Sequence, residues 1–106
     1  MSVTVVRYTT TPEAADQNQA LIEDVFAGLH ASHPEGLRYL SLRLEDGVSF
    51  VHVAAVETPD GTNPLASEPA FAAFQAAIAE RCAEQPVVRS ATVVGSFGFA
   101  PEPSPA

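Results

Sequence analysis

The spacing of apolar residues along the chain changes character several times, and each change marks a boundary. Residues 3–10, VTVVRYTT, are β-branched and aromatic and predict a first strand. Thr11-Pro12-Glu13 follows with the makings of a helix start: a hydroxyl to cap free backbone N–H groups, and a proline suited to the first turn. Leu21, Ile22, Val25, Phe26 and Leu29 then recur at helical spacing, which predicts a helix from about 12 to 31, stopped by Pro34 and Gly36. Residues 37–45, LRYLSLRLE, and residues 48–57 predict two further strands joined by Asp46-Gly47 as a two-residue hairpin turn. Residues 58–66 are turn-rich. Ser67 as cap and Pro69 in the first turn predict a second helix, with Phe71, Phe74, Ile78 and Cys82 as its apolar stripe and Pro86 as its stop. Residues 87–99, VVRSATVVGSFGF, predict a long fourth strand, and residues 100–106, APEPSPA, a disordered Pro-rich tail.

The order β-α-β-β-α-β predicts an α+β, ferredoxin-like domain over residues 1–99: an antiparallel four-stranded sheet with both helices on one face. The Asp46-Gly47 turn fixes a register in which Arg43 faces Phe50, Ser41 faces His52 and Tyr39 faces Ala54. Side chains alternate between faces, so one face carries Leu40, Leu42, Leu44, Val51 and Val53. The other carries Tyr39, Ser41, Arg43, Phe50, His52, Ala54 and Val56. Two helices cover one face only, and a face open to water would be polar. Each Leu or Val left exposed forgoes about 1.5–3 kcal/mol of burial. The sequence therefore predicts a homodimer formed through the aliphatic face.

Charge narrows the partners. There are 13 acidic and 5 basic residues, all five of them arginine, for a formal net charge of −8. This excludes a basic footprint for nucleic acid or an anionic membrane. No stretch approaches the roughly 20 apolar residues of a membrane span. Nothing in MSVTVVRYTT has the pattern of a signal peptide, so the cytoplasm is the expected location. Cys82 is the single cysteine, which rules out an intrachain disulfide or a cysteine-built metal site.

The element order, the strand FVHVAAVE and the helix run SEPAFAAFQAAI resemble the antibiotic biosynthesis monooxygenase superfamily of dimeric α+β barrels. The likeness spans about residues 3–99, and NPLASEPAFAAFQAAIAERC with PVV and VGSFGF is similar to a group of small bacterial proteins of that kind. The resemblance implies two sheets packed into a barrel and a pocket in each subunit between sheet and helices. It implies cofactor-independent chemistry on a small, flat, phenolic or polyketide-like substrate, by an oxygenase or a related proton-transfer enzyme. The other reading it allows is a non-catalytic dimer that binds a small ligand or a partner. Haem-degrading members carry an asparagine, a tryptophan and a histidine where this chain has Val6, Val56 and Gln75, so the resemblance implies no haem degradation here. The same match turns Val56, and with it Phe50, His52 and Ala54, towards the pocket.

Candidate site residues follow from that face. His52 has a near-neutral pKa and suits a general base, against the ordinary alternative of a buried histidine bonded to Ser41 or Tyr39. Asn18 lies on the apolar stripe of the first helix, four before Ile22 and seven before Val25, where an amide must be paired. It is expected to hold a substrate oxygen, or else to reach water at the helix end. Tyr8 and Tyr39 can orient a ligand or serve as amphipathic wall. Phe71 and Phe74 are expected as core that also floors a pocket for a flat ligand, beside Gln75. Arg43 is expected at the pocket mouth or as a solvated strand-end charge. His30 and His33 lack a third metal ligand and suit contact with a helix C-terminus. Cys82 reads as a small buried hydrophobe. No metal and no cofactor are expected.

Overall fold

The β-branched first segment forms strand β1 (Ser2–Thr10), and the helical periodicity after it becomes helix α1 (Ala15–Ser32), entered through a 3₁₀ turn at Pro12–Ala14. Thr11 caps that turn as its sequence predicts, accepting the Ala14 N–H. Strands β2 (Leu37–Arg43), β3 (Ser49–Val56) and β4 (Cys82–Ala91) complete an antiparallel sheet in the order β2-β3-β1-β4. The computed structural model describes residues 1–98. The fold is the ferredoxin-like arrangement, with the helices over the face that carries Tyr8, Phe50 and His52. Tyr8, Ile22, Val25, Phe50, Leu65 and Phe74 are the buried centre between α1, the sheet and the second helical segment.

The hairpin keeps the expected register: Tyr39 opposite Ala54, Ser41 opposite His52, Arg43 opposite Phe50. Its turn is wider than two residues. Leu44 N–H donates to the Ser49 carbonyl, Gly47 N–H donates to the Leu44 carbonyl, and Gly47 adopts φ +78°, a conformation glycine takes at little cost. The Asp46 carboxylate accepts the N–H groups of Val48 and Ser49, which replaces the cross-strand pair that a tighter turn would make.

The second helix departs most from expectation. Its N-terminal cap is Glu68, whose carboxylate accepts the Ala70 N–H; Ser67 instead ends a separate 3₁₀ turn, Pro64–Ser67. Helix α2 runs only over Pro69–Gln75. Ala76 is extended, Ala77 is left-handed at φ 63°, and a single turn α3 (Ile78–Arg81) leads into β4 at Cys82. The cause is Arg81. Its guanidinium donates to the carbonyls of Phe74 at 2.6 Å and Ala76 at 3.2 Å, and so occupies carbonyls that would otherwise continue the helix. Cys82 is therefore a strand residue packed at the edge of the core.

Pro86 does not stop a helix. It lies inside β4, at the place where the β1–β4 register shifts between Arg7 and Thr9, so its missing N–H falls at an irregularity. The strand expected over 87–99 closes at Ala91, opposite Val3. Beyond it, Val93, Val94 and Phe97 are exposed. Residue 99 and the tail 100–106 lie outside the described residues. No described helix is long and apolar enough to cross a membrane.

Where α1 meets the start of α2, Gly28 faces the buried Glu68 carboxylate so closely that a Cβ would overlap both of its oxygens. Gly28→Ala is expected to push Glu68 off its cap and destabilise the fold by about 1–2 kcal/mol. Urea unfolding checks this, and the loss should be smaller when Glu68 is already alanine.

Candidate active site

A cavity of about 430 Å³ lies between the sheet and the α2–α3 segment. That is large enough for a small ligand. Strand β1 contributes Thr4, Val6 and Tyr8; the hairpin contributes Tyr39, His52 and Ala54; Pro86 and Val88 come from β4. Asn63, Leu65, Phe71, Phe74, Gln75 and Ile78 close it from the other side. None of these side chains is an acid, a lysine or an arginine, so the cavity suits an uncharged guest.

At its sheet wall the polar groups form one continuous chain. Arg81 Nε donates to Asn18 Oδ1 at 3.0 Å, and Asn18 Nδ2 donates to the Tyr8 hydroxyl at 2.9 Å. The Tyr8 oxygen is 2.7 Å from His52 Nε2. His52 Nδ1 meets Ser41 Oγ at 2.7 Å and the Tyr39 oxygen at 2.8 Å. The register explains the assembly. Tyr8 and His52 stand on neighbouring strands pointing to the helix face, and Ser41 is directly across from His52. Asn18 is fully buried on the α1 stripe, which excludes the expectation that it reaches water.

The rings stack as well as bond. Phe26, Tyr39, His52, Tyr8 and Phe50 follow one another as near-parallel neighbours, with centroids 5.1–5.8 Å apart. Phe74 tilts against both Tyr8 and His52 and carries the Arg81 guanidinium 5.3 Å from its centroid.

Burial sets the proton affinities. It lowers the His52 pKa to about 4, so the imidazole is neutral at physiological pH. It pushes both phenols above their ordinary range; the hydrogen bond from Asn18 partly offsets this for Tyr8, and one from Ser41 does so for Tyr39. Burial also raises the Cys82 thiol. The cavity wall is thus a set of neutral, mutually hydrogen-bonded groups, with the Arg81 guanidinium behind it.

The remaining candidates lie elsewhere. Phe71, Phe74 and Gln75 line the cavity with Tyr8, Tyr39 and His52. Asn18 stands behind Tyr8 and Ser41 beside His52. Phe50 is core, and Arg43 lies in a separate groove beneath α1, paired with Asp16 at 3.1 Å and bonded to Gln19. Val56 is buried at the end of β3, outside the cavity lining. His33 takes the left-handed C-cap of α1, and among the described residues no cluster of three His, Cys, Asp or Glu is placed for a metal. Arg81 is the residue that sequence reasoning missed. Its signal was its position, seven after Phe74 and three after Ile78, on the apolar stripe itself.

No family model matches the sequence, and no curated protein matches it. Solved structures do resemble the fold. Rv0793 from Mycobacterium tuberculosis superposes with a TM-score of 0.71 at 17% identity, over 90% of this chain and 96% of that one. A Nitrosomonas europaea protein carrying the name antibiotic biosynthesis monooxygenase gives 0.72 at 15%, over 90% and 100%. SnoaB, a cofactor-independent oxygenase from Streptomyces nogalater, gives 0.66 at 18%, over 92% and 96%. The fold is that of the antibiotic biosynthesis monooxygenase structures.

The neutral His52 makes stability depend on pH. Unfolding restores an ordinary pKa near 6.5, so between about 4 and 6.5 the unfolded chain holds more protons. The contribution of His52 is complete above about pH 6.5 and is lost as pH falls to about 4, a change on the order of 3 kcal/mol. Urea midpoints over this range should fall steeply for the parent, and His52→Gln should flatten the slope.

Proposed function

We propose that the protein is a cofactor-independent oxygenase, or a related proton-transfer enzyme, acting on a small, flat, hydroxyaryl or polyketide-like ketone held in the helix–sheet cavity. The observation that carries this reading is the Tyr8–His52–Tyr39 cluster, which puts three proton-handling groups on one wall of an uncharged cavity. A substrate proton moves to the Tyr8 oxygen while the Tyr8 proton moves to His52 Nε2. The imidazolium later returns that proton, by the same path, to the peroxide anion formed with dioxygen, so the buried imidazole returns to neutrality. The resulting enolate carbanion supplies electrons to dioxygen. A CH₂ group plus O₂ gives C=O plus H₂O, one oxygen atom ending in each product. SnoaB shares the fold and is named as an oxygenase that works without a cofactor, which supports this reading.

A second reading, a non-catalytic binding protein, has one observation of its own. Both His52 nitrogens are held by protein hydroxyls, and a base with a pKa of about 4 is weak. Oxygen uptake separates the two. With a 1,8-dihydroxyanthrone probe, the parent should consume oxygen, and His52→Ala should lower turnover by about 100-fold. A probe that binds and neither consumes oxygen nor exchanges its methylene protons favours the binding protein.

The functional unit in this proposal is a homodimer. On the outer sheet face Leu40, Val51 and Val53 are half-buried, and Leu42 and Leu44 are exposed at 45% and 37%. Covering these side chains would recover burial of up to about 1.5–3 kcal/mol for each one fully buried. Light scattering should give twice the mass of one chain, and Val53→Asp should shift it towards the single chain.

A further inference from the structure

The hydrogen bonds through the site run in one direction, and that direction decides what the cavity offers a ligand. An arginine side chain only donates. Because Arg81 Nε reaches Asn18 at 3.0 Å, the atom it meets is the carbonyl oxygen, and the amide nitrogen must face Tyr8. The Tyr8 oxygen then accepts from Asn18. Its one proton fits the 2.7 Å contact to His52 Nε2, which then accepts; the other ring nitrogen decides the tautomer. A neutral imidazole that accepts at Nε2 carries its proton on Nδ1.

The other end of the chain agrees. Two hydroxyl oxygens lie within 2.8 Å of Nδ1. An N–H shared between two acceptors fits that geometry; a single lone pair receiving two O–H groups does not. Tyr39 then accepts from His52 and from the Ser41 hydroxyl, which leaves its own proton for something else. Tyr39 lines the cavity.

We infer that the cavity presents Tyr39 as a hydrogen-bond donor and selects flat, uncharged ligands with an acceptor oxygen, of the aryl carbonyl class, while Arg81 and Asn18 act as positioning residues that fix this polarity from behind the wall. The inference rests on the cavity being the ligand site of the proposed function, but it does not require catalysis. Arg81 never touches the ligand. It stands behind Phe74 and sets the amide, the amide sets the phenol, and the phenol sets the histidine tautomer.

Two measurements test it. The first is ¹⁵N NMR of His52 in the unliganded protein, which distinguishes the ring tautomers directly. The Nδ1–H form is expected; the Nε2–H form overturns the inference. Asn18→Asp is expected to invert the tautomer, because a carboxylate accepts from both Arg81 and Tyr8 and leaves Tyr8 to accept from Nε2–H. The second compares fluorenone with fluorene, two flat guests of nearly equal shape that differ by a carbonyl. The parent should bind fluorenone about 5- to 10-fold more tightly, and Tyr39→Phe should abolish the difference. Equal affinities in the parent, a preference that survives Tyr39→Phe, or no binding of either compound overturns the inference. A fluorenone preference without oxygen uptake on the anthrone probe sustains it while removing the oxygenase reading.

Discussion

A guanidinium buried without a carboxylate partner governs this molecule. Arg81 is 6% exposed, and every hydrogen bond it makes goes to a neutral oxygen: two backbone carbonyls and the Asn18 amide. Burying such a charge is costly unless each donor finds an acceptor. The carbonyls at the end of α2 carry partial negative charge and answer that need. These carbonyls are free because the helix ends after Gln75, with a left-handed alanine at position 77, a conformation that costs a non-glycine residue on the order of 1 kcal/mol. The break in the helix, the start of β4 and the orientation of Asn18 meet at this one side chain.

The sheet side of the site was largely legible from the chain. Alternation alone put His52 opposite Ser41 and on the face shared with Tyr39. Helical spacing alone put Asn18 among Ile22 and Val25. These are local periodicities, and one hairpin register converts them into neighbours in space. What periodicity does not contain is competition for backbone groups. Phe71, Phe74, Ile78 and Cys82 have helical spacing to the end, and nothing in that spacing shows that a side chain seven residues on would take the helix's own carbonyls. The apolar run after Ala91 misled for a different reason. It has the composition of a strand, but Ala91 already pairs with Val3, and β1 has almost no residues left to offer it.

The cavity is lined by neutral groups, which separates it from the rest of a strongly acidic chain. Formal charge is −8, yet no acidic side chain lines the cavity. Asn18, Tyr8, His52, Ser41 and Tyr39 are tied to one another, and no buried side-chain polar atom among the described residues lacks a partner. Such a network rigidifies what it connects. The phenols and the imidazole are ordered when the protein folds, so a ligand need not bear that entropic cost on entry.

The stacked column of Phe26, Tyr39, His52, Tyr8 and Phe50 has an optical corollary. The chain has two tyrosines and no tryptophan. Both tyrosines belong to the column, so apart from the weak bands of phenylalanine all of the protein's near-ultraviolet absorption and emission originates in one wall of one cavity. The molecule carries its own chromophores where its chemistry is proposed to occur, and its spectrum as purified is a spectrum of the site.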